Sequence, residues 1–532
     1  MKLPKATSQS GKTVYRDSFG GLRSERYAQD GDLISMTNLG TDRYPKIGSR
    51  PYRYRYGSVS DLRAFGGFDG LAWVDGDDLY YNLEKVATLD QGGDRMLVSD
   101  GRYTLIFPDK KCFVHETEQL LRLNAYWNGS TVTFGDGYLA GQGAQANAVT
   151  VSGDLASLFS VGDAVDISGC TVHPENNGTR IIRGISATGD ALYFDEGSFT
   201  LQNGSSYTET GSIYIERQVP SPNHVFVCNN RFWCTEGSVI YASKPGDPFN
   251  WNVFDGLSSD SYALEVGTPG VFTAACAFGG YPTFFKEDSI SRIYGSRPSN
   301  FELVTVEALG VQSSCQASVA AVGQYLYYKS REGIMAWGGG YPSLVSRELD
   351  LGTLYGPVGG SDGRRYWVSG TDKDNHRRMF VYDTVSGQWY HQDYIRAKGF
   401  ANSNGLYMLD DKGVLWLTEA KHIPLMGTVR EGTFASEAIF APIRCRTLDR
   451  KTLYRLSLRL VLEEEASTVT VTLSYDGGPE IPAGFCSGKG DHVLFCAIQP
   501  RRGDSFTLHL RGSGQWQLDS MQYTYTEGPD GP

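Results

Sequence analysis

Apolar residues along the chain occur in short runs of about five, separated by turn residues, and not at helical spacing. The segment 71–82 reads LAWVDGDDLYYN, two apolar runs joined by an acidic turn at Gly76. A turn of this type between apolar runs predicts a β-hairpin. Comparable units recur at about 40–50 residue intervals, the period of β-propeller blades. They lie at 95–107, 224–243, 282–296, 324–339, 364–389 and 404–419.

In several of these runs both faces of the predicted strand are apolar. Met379 and Val381 point one way, and Phe380 and Tyr382 point the other. A sheet that is covered by a neighbouring sheet on each side needs this pattern. The sequence therefore predicts an all-β chain with a β-propeller of about five or six blades.

The propeller pattern is confined to residues 59–115 and 219–428. Residues 116–218 contain short strands around Gly-Asp and Glu-Gly turns and predict a small β-domain inserted into a propeller loop. Residues 429–532 alternate with period two and predict a C-terminal β-sandwich. The polar segment 1–58 predicts an extended N-terminal arm that is ordered only by lying on another surface, in its own chain or in a neighbour.

The sandwich prediction depends most on one strand. Leu456, Leu458, Leu460 and Leu462 share one face, whereas the intervening residues share the other. Such alternation is typical of a half-buried antiparallel sheet.

Composition agrees with many strands and turns, since the chain has 64 Gly, 32 Tyr and 25 Phe. The net charge of −11, without any basic block, disfavours a protein that grips nucleic acid through its phosphates. A surface past which DNA slides stays possible, because acidic side chains repel phosphate.

The nine cysteines are scattered and form no C-x-x-C pair, so we expect neither a zinc site nor a disulfide framework, but reduced thiols in a cytoplasm. The first 15 residues lack the apolar core of a signal peptide. No run of 18 apolar residues occurs, so we expect no membrane-spanning segment.

The stretch MFVYDTVSGQWYHQD, residues 379–393, suggests catalytic chemistry at first sight. It resembles the Asp-box of sialidases, Ser-x-Asp-x-Gly-x-x-Trp, but Asp383, Gly387 and Trp389 have different spacings. We interpret it as a hairpin whose Asp383 bonds turn amides and whose Trp389 packs between blades. A glycoside hydrolase would instead need two carboxylates about 5–10 Å apart at the propeller axis.

Other short motifs are incomplete. Gly141, Gly143 and Ala146 mimic a dinucleotide-binding loop without its strand–helix context. The segment His115–Gln119 lacks the second histidine of a zinc protease. The Arg-Gly-Asp triplet within Arg501–Asp504 is interpreted as chance.

The segment TDKDNH begins like a calcium-binding loop, with Asp372, Asp374 and Asn375. The later ligand positions hold Arg377 and Asp383, so a solvated hairpin tip is the better interpretation. The sequence thus predicts no catalytic, cofactor-binding or metal-binding residue, no cofactor and no enzymatic activity.

The arm and one blade carry a resemblance to a known class of proteins. The segment 231–256 reads RFWCTEGSVIYASKPGDPFNWNVFDG. The arm motifs are Asp30-Gly31-Asp32, Asn38-Leu39, Tyr44-Pro45, Arg50 and Arg53. Together they resemble β-propeller virion proteins of bacteriophages, closest in role to the tail hub (nozzle, or stabilisation protein) of short-tailed phages.

The resemblance implies a structural role in the virion tail, after assembly in the bacterial host cytoplasm. We expect a homo-oligomeric ring, with a hexamer as the guess, below the portal or head–tail adaptor protein. Its lumen, lined mainly by acidic residues, would pass DNA as non-specific cargo during ejection, and its outer faces would hold tail fibres or spikes. Segment 116–218 departs from a minimal hub and is interpreted as a docking element or a surface-exposed binding module. The alternative is a receptor- or carbohydrate-binding virion protein, with exposed Trp and Tyr on blade loops or on the C-terminal sandwich. A propeller glycoside hydrolase ranks below both.

Overall fold

The structure, a computed structural model, describes residues 11–67, 70–139, 141–202, 204–419 and 428–528. The first ten residues, within the stretch where no signal peptide is predicted, lie outside this range. The described residues form ten β-sheets with antiparallel pairing, without any α-helix. Short 3-10 helices lie at Thr41–Arg43, Pro174–Asn176, Pro298–Asn300, Gln316–Ser318 and Arg347–Leu349. The predicted fold class, all-β with a β-propeller, an inserted β-domain and a C-terminal β-sandwich, is confirmed.

The chain folds as two units. The insertion-bearing unit is Asp61–Gly310, and the sandwich-bearing unit is Met1–Ser60 with Val311–Pro532.

Four propeller blades lie in the insertion-bearing unit, each a four-stranded meander. Blade 1 comprises Leu62–Gly67, Leu71–Asp75, Asp78–Tyr81 and Glu84–Thr88; blade 2 comprises Met96–Ser99, Tyr103–Phe107, Lys111–Val114 and Gln119–Arg122. Blade 3 comprises His224–Cys228, Arg231–Glu236, Val239–Ala242 and Tyr262–Glu265; blade 4 comprises Ala274–Phe278, Tyr281–Lys286, Ser289–Tyr294 and Glu302–Glu307. The first strands of consecutive blades adjoin, as they do around a propeller axis.

Side chains from adjacent blades form common cores. Ile106 and Val74 pack between blades 1 and 2, Phe232 and Leu105 between blades 2 and 3, and Phe284 between blades 3 and 4. The second strand of a blade is therefore buried on both faces, which explains why its sequence is continuously apolar.

The inserted domain lies between blades 2 and 3 in the chain. Its seven-stranded sheet has the order Gly178–Ile181, Ala164–Ser168, Tyr207–Arg217, Ala125–Leu139, Ala144–Val151, Ala191–Asp195, Gly184–Ile185. Phe134, Phe194 and Phe199 fill a core of its own. The strand Gln119–Arg122, within the segment predicted as insertion, pairs with blade 2 instead.

Three further blades lie in the sandwich-bearing unit. Blade 5 comprises Ala320–Val322, Tyr325–Ser330, Gly333–Trp337 and Ser343–Leu344; blade 6 comprises Tyr355–Ser361, Arg365–Thr371, Arg377–Asp383 and Gln388–Asp393. Blade 7 comprises Ala397–Asn402, Leu406–Asp410 and Val414–Leu417, extended by Tyr54–Ser58 and Val429–Arg430. The described residues thus contain seven blades, against about five or six expected. The seven recurring sequence units correspond one by one to these blades, so the expected number was too low; blade 7 takes its fourth strand, Tyr54–Ser58, from the predicted arm.

Two sheets form the sandwich of the same unit. The first joins Lys12–Arg16, Trp516–Gly528, Arg450–Leu462 and Gly490–Phe495, with Ile47–Gly48 and Arg502–Gly503 at its sides. The second joins Leu33–Thr37, Ala435–Phe440, Phe506–Ser513, Thr468–Tyr475 and Ile481–Ser487. Leu456, Leu458, Leu460 and Leu462 all face the core between the sheets, as their alternation predicts. The N-terminal segment is ordered on its own chain, where it adds strands to both sheets.

Candidate functional site

Two arginines of the N-terminal arm lie in a buried cluster of charges, here named the arm joint: Arg50, Arg53, Gln392, Asp393 and Glu431. Arg53 places Nη1 2.6 Å from Asp393 Oδ2 and donates from Nη2 to Gln392 Oε1 at 2.9 Å. Arg50 forms a two-pronged ion pair with Glu431. The residues Arg50 and Arg53 are only 4% and 1% exposed. The joint therefore ties the arm to the last strand of blade 6 and to the segment that enters the sandwich.

Burial and the neighbouring charges shift the pKa values of Asp393 and Arg50 within the arm joint. Burial opposes ionisation of Asp393, but the nearby charges of Arg53 and Arg50 outweigh it, so the pKa of Asp393 is lowered. Burial, and then the charge of Arg53, lower the pKa of Arg50. Removing one member would leave the others charged and buried without compensation, which is strongly destabilising.

Other arm motifs serve the same attachment. Asn38 accepts a hydrogen bond from Arg50 Nε at 2.9 Å and donates to the carbonyl of Ala435 at 2.8 Å. The carbonyl of Asp32 accepts the amide of Ala441 at 2.9 Å, and the carbonyl of Pro45 accepts that of Phe19, also at 2.9 Å. The contacts to Ala435 and Ala441 fix the arm to the sandwich, and the other two order the arm internally.

The motif GDPFNW of blade 3 forms a second cluster, here named the insertion joint: Asp163, Arg217, Asp247 and Asn250. Asn250 donates from Nδ2 to Asp163 Oδ1 at 3.1 Å and to Asp247 Oδ2 at 2.8 Å. Its Oδ1 accepts the amide of Ala164 at 3.1 Å. One side chain thus connects blade 3 to the inserted sheet.

A buried ion pair completes the insertion joint. Arg217, at the end of the last long strand of the insertion, pairs with Asp163 and donates from Nε to the carbonyl of Leu123 at 3.2 Å. Its guanidinium lies over the ring of Phe249, 5.3 Å from the centroid. Trp251 Nε1 donates to the carbonyl of Pro248 at 2.8 Å, and its ring fills the core between blades 2 and 3. The loop and both ends of the insertion are therefore held together.

The stretch 379–393 forms the hairpin of blade 6, which confirms its interpretation as a turn. Asp383 is fully buried; its carboxylate accepts the amide of Val385 at 2.9 Å and pairs with Arg364 at 2.6 Å. Gly387 has a φ of +68°, which favours glycine. Trp389 packs among blade 5 and blade 6 residues and donates to the carbonyl of Val345 at 2.8 Å.

The calcium-like segment is the hairpin tip between two strands of blade 6. Ligand atoms of Asp372, Asp374 and His376 lie within 4.8 Å of one another. The Asp372 carboxylate, however, accepts the amides of Asp374 and His376 at 3.0 and 2.9 Å and pairs with Arg378 at 2.9 Å. The oxygens of Asp372 thus already accept hydrogen bonds within the turn and pair with Arg378, and the segment gives no further indication of a cation site.

The remaining motifs are dispersed. Gly141 and Gly143 lie in a turn between two strands of the inserted sheet, next to Ala140, which is outside the described residues. The His115 ring is 2.8 Å from Thr104 Oγ1 within blade 2. The segment Arg502–Gly503 is a short strand of the sandwich.

A cleft of about 820 Å³ beside the insertion joint has no counterpart in the sequence prediction. Its walls come from the end of blade 2, the loop 156–163 of the insertion and the loop 244–250 of blade 3. These segments are far apart in the chain, so no local pattern indicates that they meet.

Comparison with protein-family models found no match, and comparison with curated proteins found none either. Among solved structures, the exo-β-1,3-galactanase of Phanerochaete chrysosporium is 10% identical over 56% of this chain and 95% of its own, with a TM-score of 0.22. Hsv2 of Kluyveromyces lactis is 9% identical over 63% of this chain and 98% of its own, with a TM-score of 0.26. The dihydro-heme d1 dehydrogenase NirN is 13% identical over 74% of this chain and 76% of its own, with a TM-score of 0.25.

Similarity this low says nothing about the activity of this chain, and the blade architecture rests on the strand pairing itself. Among the described residues, no helix is long and apolar enough to cross a membrane.

Proposed function

We propose that the chain is a non-enzymatic structural component of a bacteriophage virion, the subunit of a tail hub or nozzle ring. The ring continues the DNA channel below the portal or adaptor protein and anchors fibres or spikes. One observation carries this proposal. The residues through which the chain resembles such proteins, Arg50, Arg53 and the GDPFNW motif, are buried joints that fix the arm and the insertion to blades.

Joints of this kind suit a part under mechanical load. Arg50, Arg53 and Asp393 are each paired, so their reorganisation would cost several kcal/mol. The net charge of −11 also favours passage of DNA over retention, since like charges repel.

The test is assembly with the expected neighbours. The full-length chain is produced alone and together with the portal and adaptor proteins of the same genome, and complexes are weighed by native mass spectrometry. We expect a closed homo-oligomer, with six copies as the guess, that binds the adaptor or portal. A chain that stays monomeric at high concentration and in the presence of both partners would refute the proposal.

A further inference from the structure

The cleft beside the insertion joint has the size of a ligand site. Its volume of about 820 Å³ falls in the range of small-molecule sites. One wall belongs to the insertion and the other to blades 2 and 3, within one unit of the fold. The insertion joint forms its base, so both walls are held in fixed positions before any ligand arrives.

Two cationic side chains of the cleft are free to bind a ligand. Arg122 and Lys244 line the cleft, and neither side chain makes a hydrogen bond or ion pair among the described residues. Arg122 does lie in the field of Asp90, whose pKa is lowered chiefly by Lys111. These two side chains are therefore charged donors that a negative ligand group could reach.

The carboxylates of the cleft are already engaged. Asp163 is paired with Arg217 and bonded to Asn250. Asp247 accepts the amide of Phe249 at 2.9 Å as well as the side chain of Asn250. A ligand that carries hydrogen-bond acceptors and a negative group therefore matches the side chains of the cleft that are still free.

An aromatic side chain stands beside these cations. Tyr126 lines the cleft and is 58% exposed at the start of the first long strand of the insertion. The negative face of an aromatic ring attracts polarised C–H groups such as those of a sugar ring. Asp247 and Glu216 line the cleft and the adjoining pocket, and Asp90 interacts with Arg122, so a chain that carries a negative charge on every unit would be repelled more than a sugar with one or two negative groups.

We propose that this cleft binds a short acidic oligosaccharide. Arg122 and Lys244 hold its carboxylate or sulfate by charge-assisted hydrogen bonds, and Tyr126 stacks against one sugar ring. Such a site would add glycan binding to the structural role proposed above. Binding at the cleft does not depend on ring assembly.

Binding of defined sugars to the full-length protein tests the proposal. The probes are a uronate-containing hexasaccharide, a sulfated hexasaccharide, neutral maltohexaose and single-stranded dT6, measured by isothermal titration calorimetry. We expect saturable binding of at least one acidic sugar, at least tenfold weaker binding of maltohexaose, and weakening as salt rises. The two acidic probes distinguish carboxylate from sulfate as the recognised group.

Variants locate the site. Arg122→Ser with Lys244→Ser should weaken acidic-sugar binding at least tenfold, and Tyr126→Ala should weaken it severalfold. The matched control, Lys398→Ser with Lys489→Ser, removes two exposed cations elsewhere and should change binding less than twofold. Circular dichroism verifies folding, and hydrogen exchange of the unmodified protein should show new protection at 120–126 and 156–163 when the sugar is added.

Four results would overturn the proposal. They are the absence of binding by either acidic sugar, equal binding of maltohexaose, equal binding of dT6, and equal loss in the control variant. Protection confined to other parts of the chain would also contradict it.

Discussion

The arm joint and the insertion joint both attach a segment to a propeller blade, but they do so through different contacts. The arm joint is closed by two arginines: Arg53 pairs with Asp393, and Arg50 pairs with Glu431 and, at 3.9 Å, with Asp393. The insertion joint has one Arg–Asp pair and relies on the amide of Asn250 to reach two carboxylates. Beside it, a cleft remains in which the side chains of two further cations, Arg122 and Lys244, form no hydrogen bond or ion pair among the described residues. The arm joint only attaches the arm, whereas the insertion joint attaches the inserted domain and lies beside a cleft with room for a ligand.

The largest effect is expected at the arm joint. Arg53→Leu leaves Asp393 buried without its nearest cation and should lower the free energy of unfolding of the sandwich-bearing unit by about 3–5 kcal/mol. Denaturant titration followed by fluorescence measures it. The control is Arg377→Leu, whose pair with Asp411 is half-exposed and worth at most about 1 kcal/mol. Arg53→Leu with Asp393→Leu should regain about half of the loss.

If Arg53→Leu costs no more than Arg377→Leu, the arm joint does not hold the arm.

The insertion joint should give a smaller, more local effect. Asn250→Ala removes two hydrogen bonds to carboxylates and one from Ala164, which should cost about 2 kcal/mol. Hydrogen exchange should accelerate at 123–125 and at 217–219 while the blade cores stay protected. The control Asn128→Ala changes an exposed position of the same sheet and should stay within about 0.5 kcal/mol. Uniform acceleration in all four blades of the unit would show that Asn250 supports the whole unit and not the joint.

Acid should loosen the arm-joint region in two steps. Burial lowers the pKa of His391, whose Nδ1 lies 2.8 Å from the carbonyl of Met36 in the arm. The unfolded chain then binds a proton more readily, so stability should fall as pH drops below about 6.5. Asp393, with its lowered pKa, should add a further loss below about pH 4.

The variant His391→Asn isolates the first of these two steps. Its melting temperature, measured from pH 8 to pH 5, should vary less with pH than that of the unmodified chain. Identical pH profiles would assign the loss to other groups.

The smallest effect is expected at the exposed carboxylates of the blade 6 hairpin. Asp374→Ala should change stability by no more than about 0.5 kcal/mol, because its side chain is exposed. Addition of millimolar calcium should leave the melting temperature of both proteins unchanged. A calcium-dependent rise that Asp374→Ala abolishes would show a real cation site, in contrast to both joints.

Local pattern predicted the blades and the sandwich well. The alternating leucines 456–462 identified one face of a sheet, and the two-sided MFVY run identified a strand covered by neighbours. Both signals lie within a single strand. They are readable because strand geometry repeats every two residues.

The sequence did not predict which strands pair when they are far apart in the chain. The strand Lys12–Arg16 pairs with the far C-terminal strand Trp516–Gly528, and Tyr54–Ser58 completes blade 7. Neither strand has a regular apolar pattern, and nothing in its sequence indicates the strand with which it pairs. The same holds for the joints, since Asp163 and Asn250 are distant in sequence and only the fold brings them within hydrogen-bond distance.

A cryo-EM reconstruction of particles of the phage whose genome encodes the chain tests the central claim most directly. The account predicts a ring of this protein in the tail, below the portal or adaptor, with acidic side chains around a lumen that admits DNA. Each subunit should hold its own arm through Arg50 and Arg53. Particles that lack the chain, or that carry it as isolated copies away from the DNA channel, would contradict the account.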